Sequence, residues 1–357
     1  MRQVGCLVPD RDPRRNLGRE GEGPAPRGLR RPLPGPKIGA MEPRTPDFHD
    51  DTVPLDSARV RAADHTSRHW TFDETPGPVR IGSEAHGRMF ARMLLESHNP
   101  YKPRVLDWPQ LDPEAHARLT GLPIWDIAVQ TEGRAALRVY DYARTVPDPL
   151  LRQALTMDGD EEARHKKVLS NLVEAYGVTL EPEPEYTGFK DVEWGWMRTG
   201  YSECIDSFFA FGLFEAARRS GFFPPDLVGT FEPVIQEEAR HILFFQNWVS
   251  WARRRQPLWR RPYFELKIAL IWIVLGWDRF VLARDMGGDS KQTNFTASSD
   301  SIGVTMSVPE LMDICLAENE RRMAGYDPRL LRPRTVPFLI RLARRFMRSP
   351  QPVPATA

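Results

Sequence analysis

A chain of 357 residues has room for one large domain or two small ones, with a sizeable core. Its formal net charge of +1 gives no global reason to expect nucleic acid or an anionic surface as partner. Cys6, Cys204 and Cys315 lie far apart without a CxxC pair, which excludes a thiolate-built zinc or rubredoxin-type site and gives no disulfide framework. A reducing, cytoplasmic setting is the default expectation.

Residues 1–80 are rich in Pro, Gly, Arg and Asp, as in GREGEGPAPRGLRRPLPGPKIG, and lack apolar periodicity. Such a segment cannot bury enough surface to offset its ordering entropy and is expected to be disordered. Met41 follows its most biased part and is an alternative start. The first residues contain no apolar run long enough for a secretory signal. Order is expected from about Ser83, in a domain lead-in over 81–118. SEAHGRMFARMLLESHNPY reads as a helix stopped at Asn99 and Pro100, and KPRVLDWPQLDPEAHARLTGLP as a connector with little helical pattern.

Four long helical segments follow within 119–255: about Pro123 to Arg144, Pro149 to Gly177, Met197 to Arg219 and Pro225 to Arg253. The short links TVPDP and SGFFPPD suit antiparallel neighbours, and the longer VTLEPEPEYTGFKDVEWG suits a crossover between two hairpins. Over 256–350 the chain stays helical in character, in YFELKIALIWIVLGWDRFVLARDM, PELMDICLAENERRMAG and VPFLIRLARRFMRS, with the polar loop GGDSKQTNFTASSDSIG inside. ALIWIVLGW is shorter than the roughly 20 apolar residues of a membrane span, so it reads as a buried helix. No strand-like alternation competes, so the fold class is all-α.

The pentapeptide EEARH occurs twice, at 161–165 and 237–241. Each copy holds Glu-x-x-His, pairing Glu162 with His165 and Glu238 with His241. Residues three apart share a helix face, so one carboxylate and one imidazole can grip the same cation. Oxygen and imidazole donors without thiolate suit Fe or Mn. A single such motif is more often a solvated, salt-bridged helical surface. Two copies on alternate helices ask for two further glutamates from the partner helices. Glu132 and Glu162 are equidistant from residue 147 in the first link, and the midpoint between Glu215 and Glu238, 226.5, falls beside the FFPPD link. Each pair is therefore expected at one level.

Trp125, Ala128, Ala136 and Val139 share a face with Glu132, and Cys204, Phe208, Phe211 and Gly212 share one with Glu215. Acids on such faces need a partner, and a metal cluster is the natural one. Phe208 and Phe211 are expected to line a pocket for dioxygen or an apolar substrate. Cys204 reads as a small core residue. Tyr140 and Tyr142 lie off the ligand face.

Glu132, Glu215 and the two EEARH motifs resemble the ferritin-like di-iron carboxylate superfamily over roughly residues 120–255. This superfamily includes ferritins, rubrerythrins, the small subunit of ribonucleotide reductase, demethoxyubiquinone hydroxylase, tRNA hydroxylase and the multicomponent monooxygenases, which carry Asp-Glu-x-Arg-His on both motif helices. The resemblance implies a ferritin-like four-helix bundle over 119–255, with additional C-terminal helices packed on it. It implies two Fe ions, with Mn/Fe or two Mn as alternatives. Glu162 and Glu238 would bridge or chelate them, and His165 and His241 would each bind one. Glu161, Arg164, Glu237 and Arg240 would stand behind the ligands.

The function so implied is oxygen-dependent oxidation or hydroxylation of a small organic or lipid-like substrate, with an outside electron donor. Iron storage, rubrerythrin-like peroxide removal and di-manganese catalase chemistry are the alternatives. In VPFLIRLARRFMRS apolar and Arg residues interleave, as in an interfacial helix on anionic lipid. Packing on the bundle with the arginines in water is the favoured reading of 335–348, and peripheral membrane contact the other. RRRQPLWRRP is a basic link, and nucleic acid is not expected. A homodimer is left open.

Overall fold

The computed structural model describes residues 58–100, 108–122, 124–287 and 306–347. Among them all regular structure is helical. The helices are α1 (Ala58–Arg68), α2 (Glu84–Glu96), α3 (Pro113–Thr120), α4 (Trp125–Ala143), α5 (Pro149–Ala175), α6 (Val192–Ser220), α7 (Pro225–Arg255), α8 (Arg261–Gly287), α9 (Val308–Met323) and α10 (Thr335–Phe346). One isolated bridge joins Trp70 to Tyr326.

Local chemistry fixes the helix starts. Ser83 caps α2 by accepting from the His86 amide at 3.1 Å, and Asp148 caps α5 by accepting from the amides of Leu150 and Leu151. Pro149 and Pro225 occupy first-turn positions, where no amide hydrogen is needed. Gly221 ends α6 in the left-handed region at φ 66°, a conformation only glycine adopts freely.

α4 packs on α5 and α6 on α7, in each case across a short link, and α4 also lies against α6. α5 and α7 meet sparingly, and α2 is laid across both. α8 packs on α6, α9 on α6 and α7, and α10 on α9 and α6. The main core runs through aromatic edge contacts: Trp196 lies 5.4 Å from Phe245 and 5.7 Å from Trp248, and Phe90 lies 5.4 Å from Phe244. Asn247, buried on α7, ties α2 and the C-terminal segment to this core. It hydrogen-bonds with His86 and with the backbone amide and carbonyl of Leu331.

Three expectations are corrected. Disorder over 1–80 does not extend to residues 58–80. α1 forms there, and Trp70 and Phe72 are buried in the core, where Asp327 accepts from the Phe72 amide at 2.9 Å. Two aromatics give this segment the buried area that its charged neighbourhood hides. The connector contains α3, started by Asp112 as cap and Pro113 in the first turn. α8 is not a buried helix: Ile273 and Trp277 are 66 % and 62 % exposed, while Phe264, Ile268, Ile271 and Leu275 face inward. Residues 1–57, Pro123 and the polar loop from residue 288 lie outside the described residues.

Candidate metal centre

α4, α5 and α7 bring one acid-rich cluster together. Oxygens of Glu132, Glu162 and Glu238 and a ring nitrogen of His165 lie within 4.8 Å of one another. Asp158, Glu162 and His241 form a second group by the same measure, so Glu162 belongs to both. Asp158 precedes Glu162 by one helical turn and therefore shares its face. The edge near Glu132 is covered by the crossover between α5 and α6, where Tyr186 lies so close to Gly133 that a Cβ there would sit 2.6 Å from its ring.

Behind this cluster the two motifs are bonded crosswise. His165 Nε2 donates to Glu237 of the other motif at 2.8 Å, and His241 Nε2 donates to Glu161 at 2.7 Å. Arg164 donates to Glu237 at 2.7 Å, and Arg240 donates to both oxygens of Glu161 at 2.8 and 2.9 Å. Glutamate at 161 and 237 thus reaches the opposite helix. His98, at the end of α2, adds a contact of 2.5 Å to Glu161.

These bonds set the tautomer of the neutral rings, the form that can take a cation. An ionised carboxylate only accepts, so the hydrogen sits on Nε2 and the lone pair of the neutral ring is on Nδ1. His165 Nδ1 lies 3.1 Å from Glu238, and His241 Nδ1 lies 2.8 Å from Glu162. Neither nitrogen makes a hydrogen bond of good geometry, and neither do the buried oxygens Glu162 Oε1 and Asp158 Oδ1.

The electrostatics are those of crowded acids. Burial, then the charge of Glu132, pushes the Glu162 carboxyl well above its usual range. Glu203 of α6 is pushed up likewise, by burial and then by Asp158 and Glu238. Burial raises Asp158 to about 6 against the pull of His241. Burial works to raise Glu238, but His165, His241 and the Ser207 hydroxyl together outweigh it and hold it down to about 2. Burial disfavours the charged form of His241, yet Asp158, Glu161 and Glu162 together raise it well above an ordinary imidazole. The cluster calls for positive charge.

Of the six ligands expected from sequence, Glu132, Glu162, His165, Glu238 and His241 are brought together and Glu215 is not. Glu215 is bound instead by Arg218 and Arg219, at 2.7 and 2.6 Å, which outweigh its partial burial and hold it down to about 2. It lines an outer cleft with Phe214, Glu232 and Arg321. The error has two physical sources. The link between α6 and α7 is only 221–224, so the α6 residue level with Glu238 is Ser207, which donates to it at 2.9 Å. Glu215 lies eight residues further, about 12 Å along the axis. Its apolar face is covered by α9: Phe208 packs with Leu311 and Cys315, and a Cβ at Gly212 would sit 2.2 Å from the Cys315 sulfur. Phe211 is likewise core, with the Arg322 guanidinium over its ring. The pocket expected from Phe208 and Phe211 is therefore replaced by packing.

Glu203 is the acid of α6 that interacts electrostatically with Asp158, Glu238, His241 and Glu132. It stands next to Cys204, the residue level with His241, and shares a face with Gly200 and Ser207. A Cβ at Gly200 would lie 2.2 Å from the Phe245 ring of α7, so that ring fills the space over Gly200. Small residues three and four positions either side of an acid were the available signal. Cys204 is a buried free thiol that burial keeps protonated.

The donor set fits a pair of oxygen- and nitrogen-preferring cations: four carboxylates (Glu132, Asp158, Glu162, Glu238), two imidazole Nδ1 atoms and no thiolate, with the Glu203 carboxyl close enough to be influenced by their charge. No family model, curated protein or solved structure matches this chain.

Proposed function

We propose that α4–α7 constitute a ferritin-like four-helix bundle that holds two metal ions, and that the protein is an oxygen-dependent oxidoreductase acting on a small organic or lipid-like substrate. Glu132, Glu162, His165 and Glu238 would hold one ion, and Glu203, His241 and Asp158 the other, with Glu162 and Glu238 shared. Two irons held in this way supply dioxygen activation when an outside donor reduces them.

The observation that carries the reading is the pair of Nδ1 atoms, buried, aimed at carboxylates and without a hydrogen bond of good geometry. A histidine whose other nitrogen is anchored to a carboxylate is the arrangement that orients an imidazole toward a cation. Glu161 and Glu237 supply that anchor, and Arg240 and Arg164 in turn donate to Glu161 and Glu237. Ser207 steadies Glu238, and Tyr186 of the α5–α6 crossover packs on Gly133 beside Glu132.

The test is metal content after anaerobic loading with Fe(II), followed by oxygen uptake. The wild-type protein is expected to retain two irons and consume oxygen. Glu238→Ala and Glu203→Ala should each lose metal, and Glu215→Ala should keep both ions. Full loading of Glu238→Ala would overturn the assignment.

A further inference from the structure

α8 and α10 turn two apolar faces to solvent. On α8 the exposed side chains are Tyr263, Leu266, Leu270, Ile273, Trp277 and Phe280, each between 44 and 66 % exposed. They recur three and four apart and form one stripe. The charged residues of this helix point sideways into pairs: Lys267 with Glu193, Asp278 with Arg198 and Arg279 with Asp206. On α10, Phe338, Leu339, Leu342 and Phe346 are 40–82 % exposed. That helix contains no acid, while Arg341 and Arg345 are exposed on it. Trp272 of α8 and Ile340 of α10 pack against the same cluster of Phe208, Leu311, Cys315 and Val336, so both helices border it. The turn leading into α8 adds Trp259, 76 % exposed, between the exposed Arg254, Arg255 and Arg260.

We propose that this surface docks on an anionic lipid membrane, with α8 and α10 lying in the interface plane. Independent features select lipid over a second copy. Arg254, Arg255, Arg260 and Arg345 stand exposed beside the apolar stripes, while Arg341 is paired with Glu320 and Arg344 with Asp313, and a two-fold self-contact would set the former like charges against each other. Anionic headgroups neutralise the same arginines, and apolar side chains beside them enter the acyl boundary. Trp, Tyr and Phe contribute much of the patch, as suits side chains at the headgroup level. No helix among the described residues is long and apolar enough to cross a membrane, so the contact is peripheral. The inference does not depend on the metal centre.

Co-sedimentation of the full chain with vesicles tests it. Binding is expected to phosphatidylcholine vesicles containing phosphatidylglycerol, and to be at least about tenfold weaker on phosphatidylcholine alone or at high salt. The double substitution Ile273→Glu/Trp277→Glu should lower binding by at least about tenfold while leaving the thermal midpoint unchanged, since both side chains are already in water. Arg260→Gln with Arg345→Gln should weaken it by about fivefold per arginine. Absence of binding by the wild-type protein would overturn the proposal. So would a stable dimer in sedimentation velocity that Ile273→Glu dissociates, because the face would then belong to a second copy. A wild-type tryptophan emission that shifts to the blue with phosphatidylglycerol vesicles, and no longer does so after Trp259→Phe with Trp277→Phe, supplies a readout in the native fold.

Discussion

Arg240 and Arg164 occupy equivalent places in the two EEARH motifs, yet their substitution by methionine should not cost the same. Arg240 is fully buried. It donates to both oxygens of Glu161, to Ser97 Oγ at 2.9 Å and to the Leu94 carbonyl, so one guanidinium fastens α2 and α5 to α7. Removing it leaves the buried Glu161 without its guanidinium partner and two acceptors at the end of α2 without their donor. Breaking a buried pair of this kind costs about 3–5 kcal/mol. Arg164 makes one such bond, to Glu237, and its Nε has no partner. Glu237 would keep His165 at 2.8 Å and Arg240 at 3.6 Å, so about 1–3 kcal/mol is expected. At roughly 2–4 °C per kcal/mol for a domain of this size, Arg240→Met should lower the thermal midpoint by about 10 °C and Arg164→Met by about half as much. Circular dichroism melts at neutral pH with chelator present separate this from any metal effect. Equal shifts for the two variants, or a larger one for Arg164→Met, would refute the reasoning.

Other outcomes are equally definite. Gly200→Ala should destabilise by about 1–3 kcal/mol, because its Cβ would collide with the Phe245 ring, whereas Gly229→Ala on α7 meets nothing within 4 Å and should stabilise by about 0.5–1 kcal/mol; urea midpoints would rank the pair. Asp327 is held down to about 2, burial being outweighed by its bonds to Arg329 and to the amides of Arg329 and Phe72. A depressed carboxyl stabilises above its unfolded pKa and loses that contribution as pH falls through its folded one. The wild-type protein should therefore shed on the order of 2 kcal/mol between about pH 4 and 2, a loss that Asp327→Asn, already weaker at neutral pH, should not show in acid titrations of unfolding. Fe(II) at about 100 times its dissociation constant should stabilise by about 2.7 kcal/mol per occupied site in calorimetry, and Glu238→Ala should abolish that gain.

Much of the helical framework was legible in local signals. Asp148 with Pro149, and Pro225 after a Gly-Phe-Phe-Pro link, mark starts that the chain uses, and the period of the apolar residues supplies the rest. α3 carried its own signal, Asp112–Pro113, inside a stretch that reads as connector. What local pattern could not give was direction. The apolar residues around Glu215 proclaim a buried face, but only the tertiary arrangement decides that α9 covers it. The apolar run of α8 proclaims burial, yet only one side of that helix has neighbours. Levels estimated from a link depend on its centre, and a shift of a few residues moved the expected acid from the neighbourhood of Ser207 to Glu215.

The crossed bonds explain why one motif alone carries so little information. Glu161 orients His241, and Glu237 orients His165, so the helix that presents each imidazole does not hold it in place. Were each glutamate to serve its own helix, either motif could act as half a site, and a change on α5 would leave the α7 histidine undisturbed. In the observed arrangement Glu161→Ala should displace His241, 80 residues away in sequence, and leave His165 anchored. The repeat of EEARH is thus one structural unit split between two helices. Its two halves make sense only when α5 and α7 are brought face to face, with α2 and Arg240 closing the gap between them.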